Sequence, residues 1–172
     1  MDFFETVEKR YSVRTFKSKP IEEEKLKKIF EVANLAPSAG NLQSFEIVCV
    51  TDTKKKQELA RIAHTQQFVA EAPVVLVVFA NEQRSEKYGK RGKELFCLND
   101  ADIACSYIQL AVTALGLGSV WVGLFDDDKV RKIVNAPAHL KPTAIIAMGY
   151  PDEEPRKKTR RGVSSIVHDE TF

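Results

Sequence analysis

Glycine is scarce, eight in 172 residues, and neither of the glycine arrangements that cradle phosphates is present. Gly89-Lys90-Arg91-Gly92-Lys93 has the composition of a phosphate loop without its spacing. Gly116-Leu117-Gly118-Ser119-Val120-Trp121 starts like a dinucleotide fingerprint, lacks its last glycine and precedes a strand rather than a helix. No GxSxG elbow holds a serine on a strand-to-helix turn. His64, His139 and His168 are scattered without ligand spacing to cysteine or acid, so no metal site is expected. Cys49, Cys97 and Cys105 form no CxxC pair and sit among apolar residues, the pattern of reduced, mostly buried thiols in a cytoplasmic protein. Charge of one sign is also missing: 26 Lys and Arg face 24 Asp and Glu, and a net charge of +2 demands no nucleic-acid partner. Internal repeats and long linkers are absent as well, so residues 1–172 are expected to form a single domain.

One stretch lacks charge altogether. From Ile103 to Phe125 the chain reads IACSYIQLAVTALGLGSVWVGLF, long enough to span a bilayer. Gly116, Gly118 and Gly123 interrupt it, and its flanks are acidic (Asp100 and Asp102 before, Asp126 to Asp128 after), with no positive cluster to orient a span. The reading is therefore a soluble helix followed by a buried strand, with no membrane partner. Met1-Asp2-Phe3-Phe4-Glu5 has the wrong charge order for a secretory signal, which agrees with a cytoplasmic protein.

The remaining pattern alternates helices and strands. Asp2 can cap a short first helix with Glu5 at the reciprocal position, carrying Phe3, Phe4 and Val7 inward. Leu26, Ile29, Phe30 and Ala33 mark an amphipathic helix that ends before Pro37. Ser44 to Thr51 reads as a strand, Lys54 to Ala63 as a helix, and Val74 to Phe79 as a strand too uniformly apolar to expose either face. Asn81 to Lys93 is densely charged with two glycines, which predicts a mobile surface segment or lid. A long helix from about Asn99 to Leu115, closed by Gly116, precedes a strand from Ser119 to Leu124. Asp126 or Asp127 caps a helix with Val130, Ile133 and Val134 inward, and Thr143 to Gly149 forms another strand. After Pro151 the chain turns basic through Arg156, Lys157, Lys158, Arg160 and Arg161. This order describes an α+β layer structure.

Three signals carry chemistry. Arg10-x-Ser12-x-Arg14 places two guanidiniums and a hydroxyl on one side of an extended segment, a donor set suited to phosphate. A basic turn paired to Glu5 or Glu8 has the same composition. Ala36-Pro37-Ser38-Ala39-Gly40-Asn41-Leu42-Gln43 joins small residues to two amides able to read the edge of a heterocycle, or is a helix-to-strand connection rich in turn formers. Lys158 and Arg160 face one way if the tail is extended, where a solvated tail or a nuclear-type basic cluster is the competing reading.

Taken in order, these pieces resemble the nitroreductase family of flavin mononucleotide enzymes over essentially the whole chain. The matching segments are Arg10-Tyr11-Ser12-Val13-Arg14-Thr15-Phe16, Ala36-Pro37-Ser38 through Asn41 and Gln43, the long apolar helix, Ala114 through Gly123, and Met148-Gly149-Tyr150-Pro151 before the basic tail. The resemblance implies a three-layer α+β fold, with a mostly antiparallel central sheet flanked by helices in an intertwined homodimer. It also implies two FMN sites at the subunit interface. The uncharged helix would form the dimer core, and residues 151–172 a C-terminal extension packing on the partner subunit.

On matching positions, Arg10, Ser12, Lys158 and Arg160 look like the phosphate and ribityl contacts of FMN, and Arg14 like a cation near the pyrimidine end of the ring. Tyr11 belongs to the same segment, standing where many members carry a basic residue or histidine. Pro37, Ser38, Ala39, Asn41 and Gln43 look like the loop that reaches the flavin from the other subunit. Trp121, Val122, Gly123 and Leu124 resemble the backbone beside flavin N5, so no catalytic side chain is expected. Ser44-Phe45 replaces the Pro-Trp often found after the glutamine, and Gly123 stands where some longer members have glutamate. The implied activity is ping-pong reduction of electron-poor acceptors (nitroaromatics, quinones or activated enones), with NADH or NADPH as donor and hydride passing through flavin N5. An FMN-storing or FMN-sensing protein without turnover shares every binding residue.

Overall fold

The apolar run after Pro73 is the spine of the molecule. The computed structural model describes residues 1–155 and 158–172, so Arg156 and Lys157 of the basic tail lie outside the described residues. In it Val74–Asn81 is a strand buried along its whole length. Such a strand must be covered on both faces. It is β2 of β1 (Phe45–Val50), β2, β3 (Gly118–Val122) and β4 (Leu140–Gly149). These pair antiparallel throughout, in the order β1-β2-β4-β3.

Around them lie α1 (Phe3–Lys9), α2 (Glu23–Asn34), α3 (Thr53–Ile62), α4 (Gln67–Glu71), α5 (Gly89–Arg91), α6 (Cys97–Ala114) and α7 (Asp127–Val134). Alternation along the strands divides the core. Val75, Val77, Phe79, Val120 and Ile145 meet Leu59 of α3, Val69 of α4 and Val130 of α7. Leu76, Val78, Ile146 and Met148 meet Ile29 of α2 and Ile108 and Val112 of α6. Each such side chain contributes about 1.5–3 kcal/mol relative to exposure. Helix, sheet and helix make the three layers.

Aspartates start three of the helices: Asp2, Asp52 and Asp126 accept the backbone N–H of Glu5 (2.9 Å), Lys55 (2.8 Å) and Lys129 (3.1 Å). Gly116, at φ +74°, turns the chain out of α6 toward β3. The charge-free run is thus divided between α6 and β3. By composition the helix could cross a membrane, but one face of α6 is packed onto the sheet through Ala101, Cys105 and Ile108.

The segment after α1 docks on the free edge of β3. Val13 N–H donates to the Ser119 carbonyl at 3.0 Å, Ser12 bridges Ser119 in parallel, and Phe16 bridges Pro151. A Cβ on Gly118 would come within 2.4 Å of the Val13 side chain, so this close approach needs glycine.

Three expectations are corrected, those for α1, the start of α6 and the end of β3. Phe3, Phe4 and Val7 point outward, 64%, 81% and 46% exposed, because α1 turns only Thr6 into its own chain. Residues 81–93 lie largely at the surface, as expected, and are folded into short helical turns. Glu86–Tyr88, α5 and the wide turn Gly92–Phe96 run continuously into α6, pinned by the buried Ser85 hydroxyl donating to the Gly92 carbonyl at 2.9 Å. The long helix therefore begins before Asn99. β3 stops at Val122, leaving Gly123 and the exposed Leu124 beyond the ladder. Of the thiols, Cys97 and Cys105 are buried, whereas Cys49 is exposed.

Candidate functional site

Arg10 follows the last turn of α1, where the helix's own carbonyls need partners. Lys158 supplies them from the far end of the chain: its ammonium donates to the Arg10 carbonyl at 2.7 Å and to the Glu8 carbonyl. A cation at a helix C-terminus also complements the helix dipole. The lysine is thereby brought beside the Arg10 guanidinium, and Arg160 joins them. Burial, and then the Arg160 charge, lower the pKa of Arg10. Desolvation, followed by the Arg10 and Arg160 charges, lowers that of Lys158. None of the three cations forms an ion pair among the described residues. Glu8 is the one carboxylate acting on Lys158, so the group keeps an excess of positive charge, which attracts anions.

The neighbouring residues of this segment play different parts. The Tyr11 hydroxyl donates to the Glu153 carbonyl at 3.0 Å, and burial together with the Glu153 and Glu154 charges raises its pKa. That bond ties the tail to the segment after α1. Ser12 is half-buried beside β3. Arg14 has an exposed side chain, and its backbone N–H donates to the Glu153 carboxylate. Next to this group, Tyr11, Val13, Gly118, Leu117 and Lys158 help line a mostly apolar cavity of about 360 Å³.

The second group is built by a residue the sequence reading did not single out. Asp100, on α6 and only 2% exposed, accepts the backbone N–H of Ala39 (2.8 Å) and of Ser44 (3.3 Å). It fastens both ends of a loop that takes left-handed backbone at Gly40, Asn41 and Gln43. Within the loop, Ser38 Oγ accepts the Gln43 N–H at 2.9 Å, and the Gln43 amide donates to Asn41 Oδ1 at 2.8 Å. Pro37, Ser38 and Ala39 line a cavity of about 240 Å³ with Phe96, Asn99 and Asp100. A lone aspartate in a helix has no sequence signature, and its partners lie 61 and 56 residues away. The repeated small and turn-forming residues of the loop were the only available hint.

Trp121 and Val122 end β3 on opposite faces: Trp121 packs toward α6 and Val122 toward the α3 layer. Gly123 passes against the Trp121 indole, whose Nε1 would lie 3.5 Å from an added Cβ, and Leu124 is exposed.

One chain does not unite these groups. The 37–44 loop enters β1 at Phe45, which faces Ala80 and, through it, Lys141. Ser12 sits beside Ser119, which faces Met148 at the other end of β4. Loop and cation cluster therefore occupy opposite corners of the sheet, about 14 Å apart across the strands and roughly 20 Å along them.

A three-layer α+β chain with a cation cluster at one sheet corner and a small-residue loop at the other has the layout of a ligand-binding scaffold whose class is read from its relatives. The Nitroreductase family matches residues 7–70 and 63–150, and the chain belongs to that family. A Thermus thermophilus protein named NADH dehydrogenase is 33% identical over 187 residues, spanning 92% of this chain and 91% of its own. Among solved structures, an FMN-dependent nitroreductase from Clostridium difficile R20291 shares 31% identity at a TM-score of 0.83, covering 97% of this chain and 98% of that one. The NADPH:FMN oxidoreductase of Vibrio harveyi, solved with NAD+, shares 28% identity at a TM-score of 0.90, covering 99% and 77%.

Proposed function

We propose that the chain is an FMN-dependent oxidoreductase that takes electrons from NADH or NADPH and reduces small electron-poor acceptors, acting as a homodimer that shares two flavin sites. The observation that carries this reading is the group Arg10, Lys158 and Arg160, three neighbouring cations that outnumber the one carboxylate acting on them, Glu8, and form no ion pair among the described residues. A phosphate monoester is dianionic near neutral pH, and a guanidinium fork bonds it bidentately. The residues therefore fit the phosphate of FMN.

FMN, when bound, supplies hydride transfer; the chain supplies binding, orientation and exclusion of water. Arg10, Lys158 and Arg160 hold the phosphate, with Ser12 offering a hydroxyl to the ribityl chain. The exposed Arg14 side chain would supply positive charge to a bound flavin ring, and a cation near the pyrimidine end would favour the reduced form. Trp121, Val122, Gly123 and Leu124 present backbone to the ring, and Gly123 adds no side chain that would hold a planar group away. The loop from Pro37 to Gln43 closes the site from the second subunit, since its own cation cluster lies at the far corner of the sheet. No side-chain nucleophile or general base is required.

Further support for the dimer comes from surfaces that one chain leaves uncovered: Phe3 and Phe4 on α1, and the tail from Lys158 to Phe172, every residue of which is exposed. The three free thiols fit a reducing compartment and support a cytoplasmic location. A steady-state assay tests the whole reading. The purified protein is expected to bind FMN and to oxidise NADH or NADPH with a nitroaromatic or quinone acceptor. FMN binding without turnover would leave a storage role, and no FMN binding would end the proposal.

A further inference from the structure

The wall beside the 37–43 loop holds two side chains that neither the fold nor the flavin reading uses. A Cβ built on Gly40 would lie 2.2 Å from the Tyr88 hydroxyl and 3.1 Å from the Lys87 ammonium. Gly40 thus has no side chain in the place where these two donors converge. The Tyr88 hydroxyl makes no hydrogen bond among the described residues, and Lys87 pairs with no carboxylate. Its nearest acids are engaged elsewhere: Glu86 with Lys93 at 2.6 Å, Glu94 with Lys90 at 3.9 Å, and Glu82 with Lys141 at 3.0 Å.

The donors are held in place by aromatic packing. Lys87 Nζ lies 5.0 Å from the Tyr88 ring centroid, and Tyr88 meets Phe96 edge to face at 5.3 Å. Arg91 covers Phe96 at 5.4 Å. Phe96 is also a wall of the cavity of about 240 Å³ beneath Ser38 and Ala39, so the edge-to-face aromatic pair forms an apolar corner between that cavity and the two donors. Arg84 fixes the wall to the loop, its Nε–H donating to the Leu42 carbonyl at 2.9 Å.

We propose that Lys87 and Tyr88 form an acceptor subsite selecting aromatic substrates that carry an anionic oxygen group, an aryl carboxylate above all. The substrate ring packs in the corner between Phe96 and Tyr88, while the ammonium and phenol bond the carboxylate. This assignment rests on the flavin reading, which brings the 37–43 loop to the reaction site; the two donors determine specificity and take no part in hydride transfer. A charge-assisted hydrogen bond is about twice as strong as a neutral one, so the subsite discriminates an acid from its amide.

Calorimetric titration of the FMN-loaded protein with 4-nitrobenzoate and 4-nitrobenzamide tests the assignment, because the two ligands differ in charge but hardly in size. The wild-type protein is expected to bind the acid about tenfold tighter. Lys87→Gln removes that preference, Tyr88→Phe reduces it about threefold, and Lys54→Gln on the distant α3 leaves it intact. Equal affinity for acid and amide in the wild type, or a preference that survives Lys87→Gln, overturns the subsite. Oxidation of NADH or NADPH with menadione, a neutral acceptor, is measured in parallel. Its failure strikes the flavin reading, while a lost preference with menadione turnover intact strikes the subsite alone.

Discussion

Arg10, Lys158 and Arg160 destabilise one another in the free protein, and a phosphate relieves that repulsion. Charged hydrogen bonds of this kind contribute about 1.5–3 kcal/mol. Arg10→Ala is accordingly expected to weaken FMN binding at least tenfold in a fluorescence titration, while Lys54→Ala changes it less than twofold. Equal losses in the two variants would remove the phosphate assignment. The lowered pKa of Lys158 adds a pH dependence with a definite sign. In the free protein its charged form is disfavoured, so it releases its proton below the usual lysine value of about 10.4. A bound anion holds the proton on. FMN affinity should therefore fall as pH rises through the Lys158 pKa, and Lys158→Arg, which stays charged, should flatten that fall. A titration from pH 7 to 10 that shows the same slope for both proteins contradicts the role given to Lys158. Among the thiols, burial pushes Cys105 up to about 12, so one equivalent, from the exposed Cys49, should react with a disulfide reagent under native conditions.

At the scale of elements, legibility followed locality. β2 was readable because eight consecutive buried positions leave no polar face to misassign, and the caps of α1 and α7 were readable because Asp2 and Asp126 act three residues away. In residues 81–93 charge density signalled the exposed face correctly, but it does not show that the charges line the outer face of short helical turns whose inner face holds Ser85 and Gly92. Asp100 was invisible since its contacts are long-range. Its part is to hold left-handed backbone at Gly40, Asn41 and Gln43, conformations that persist only where surrounding bonds enforce them. Asp100→Asn turns one acceptor oxygen into a donor facing a backbone N–H. It is expected to lower stability by about 1–3 kcal/mol in urea unfolding and to reduce FMN affinity, although Asp100 lies far from the phosphate cluster of its own chain. Unchanged flavin binding in a destabilised variant would reduce Asp100 to a structural residue.

Across the whole molecule, the errors in reading α1 and the completeness of the site have one explanation. Phe3, Phe4 and Val7 follow a pattern that ordinarily means burial, yet they are exposed within their own chain, as a proposed second subunit would explain. Exposed aromatics on a short helix, an uncovered tail and a site divided between sheet corners all fit a second subunit. The sequence resemblance implied a dimer; periodicity and composition do not say which chain covers a face. Phe4→Asp separates the two possibilities. Phe4 is 81% exposed in one chain, so a charge there leaves the monomer's own core untouched. If α1 lies at the interface, the aspartate is desolvated on assembly and opposes it by several kcal/mol. Sedimentation velocity should then show a shift from dimer to monomer. Flavin titration should show FMN affinity falling in step, despite an intact Arg10, Lys158 and Arg160. A monomeric variant that still binds FMN tightly would mean that one chain holds the cofactor by itself, and the 37–43 loop would lose its place in the site.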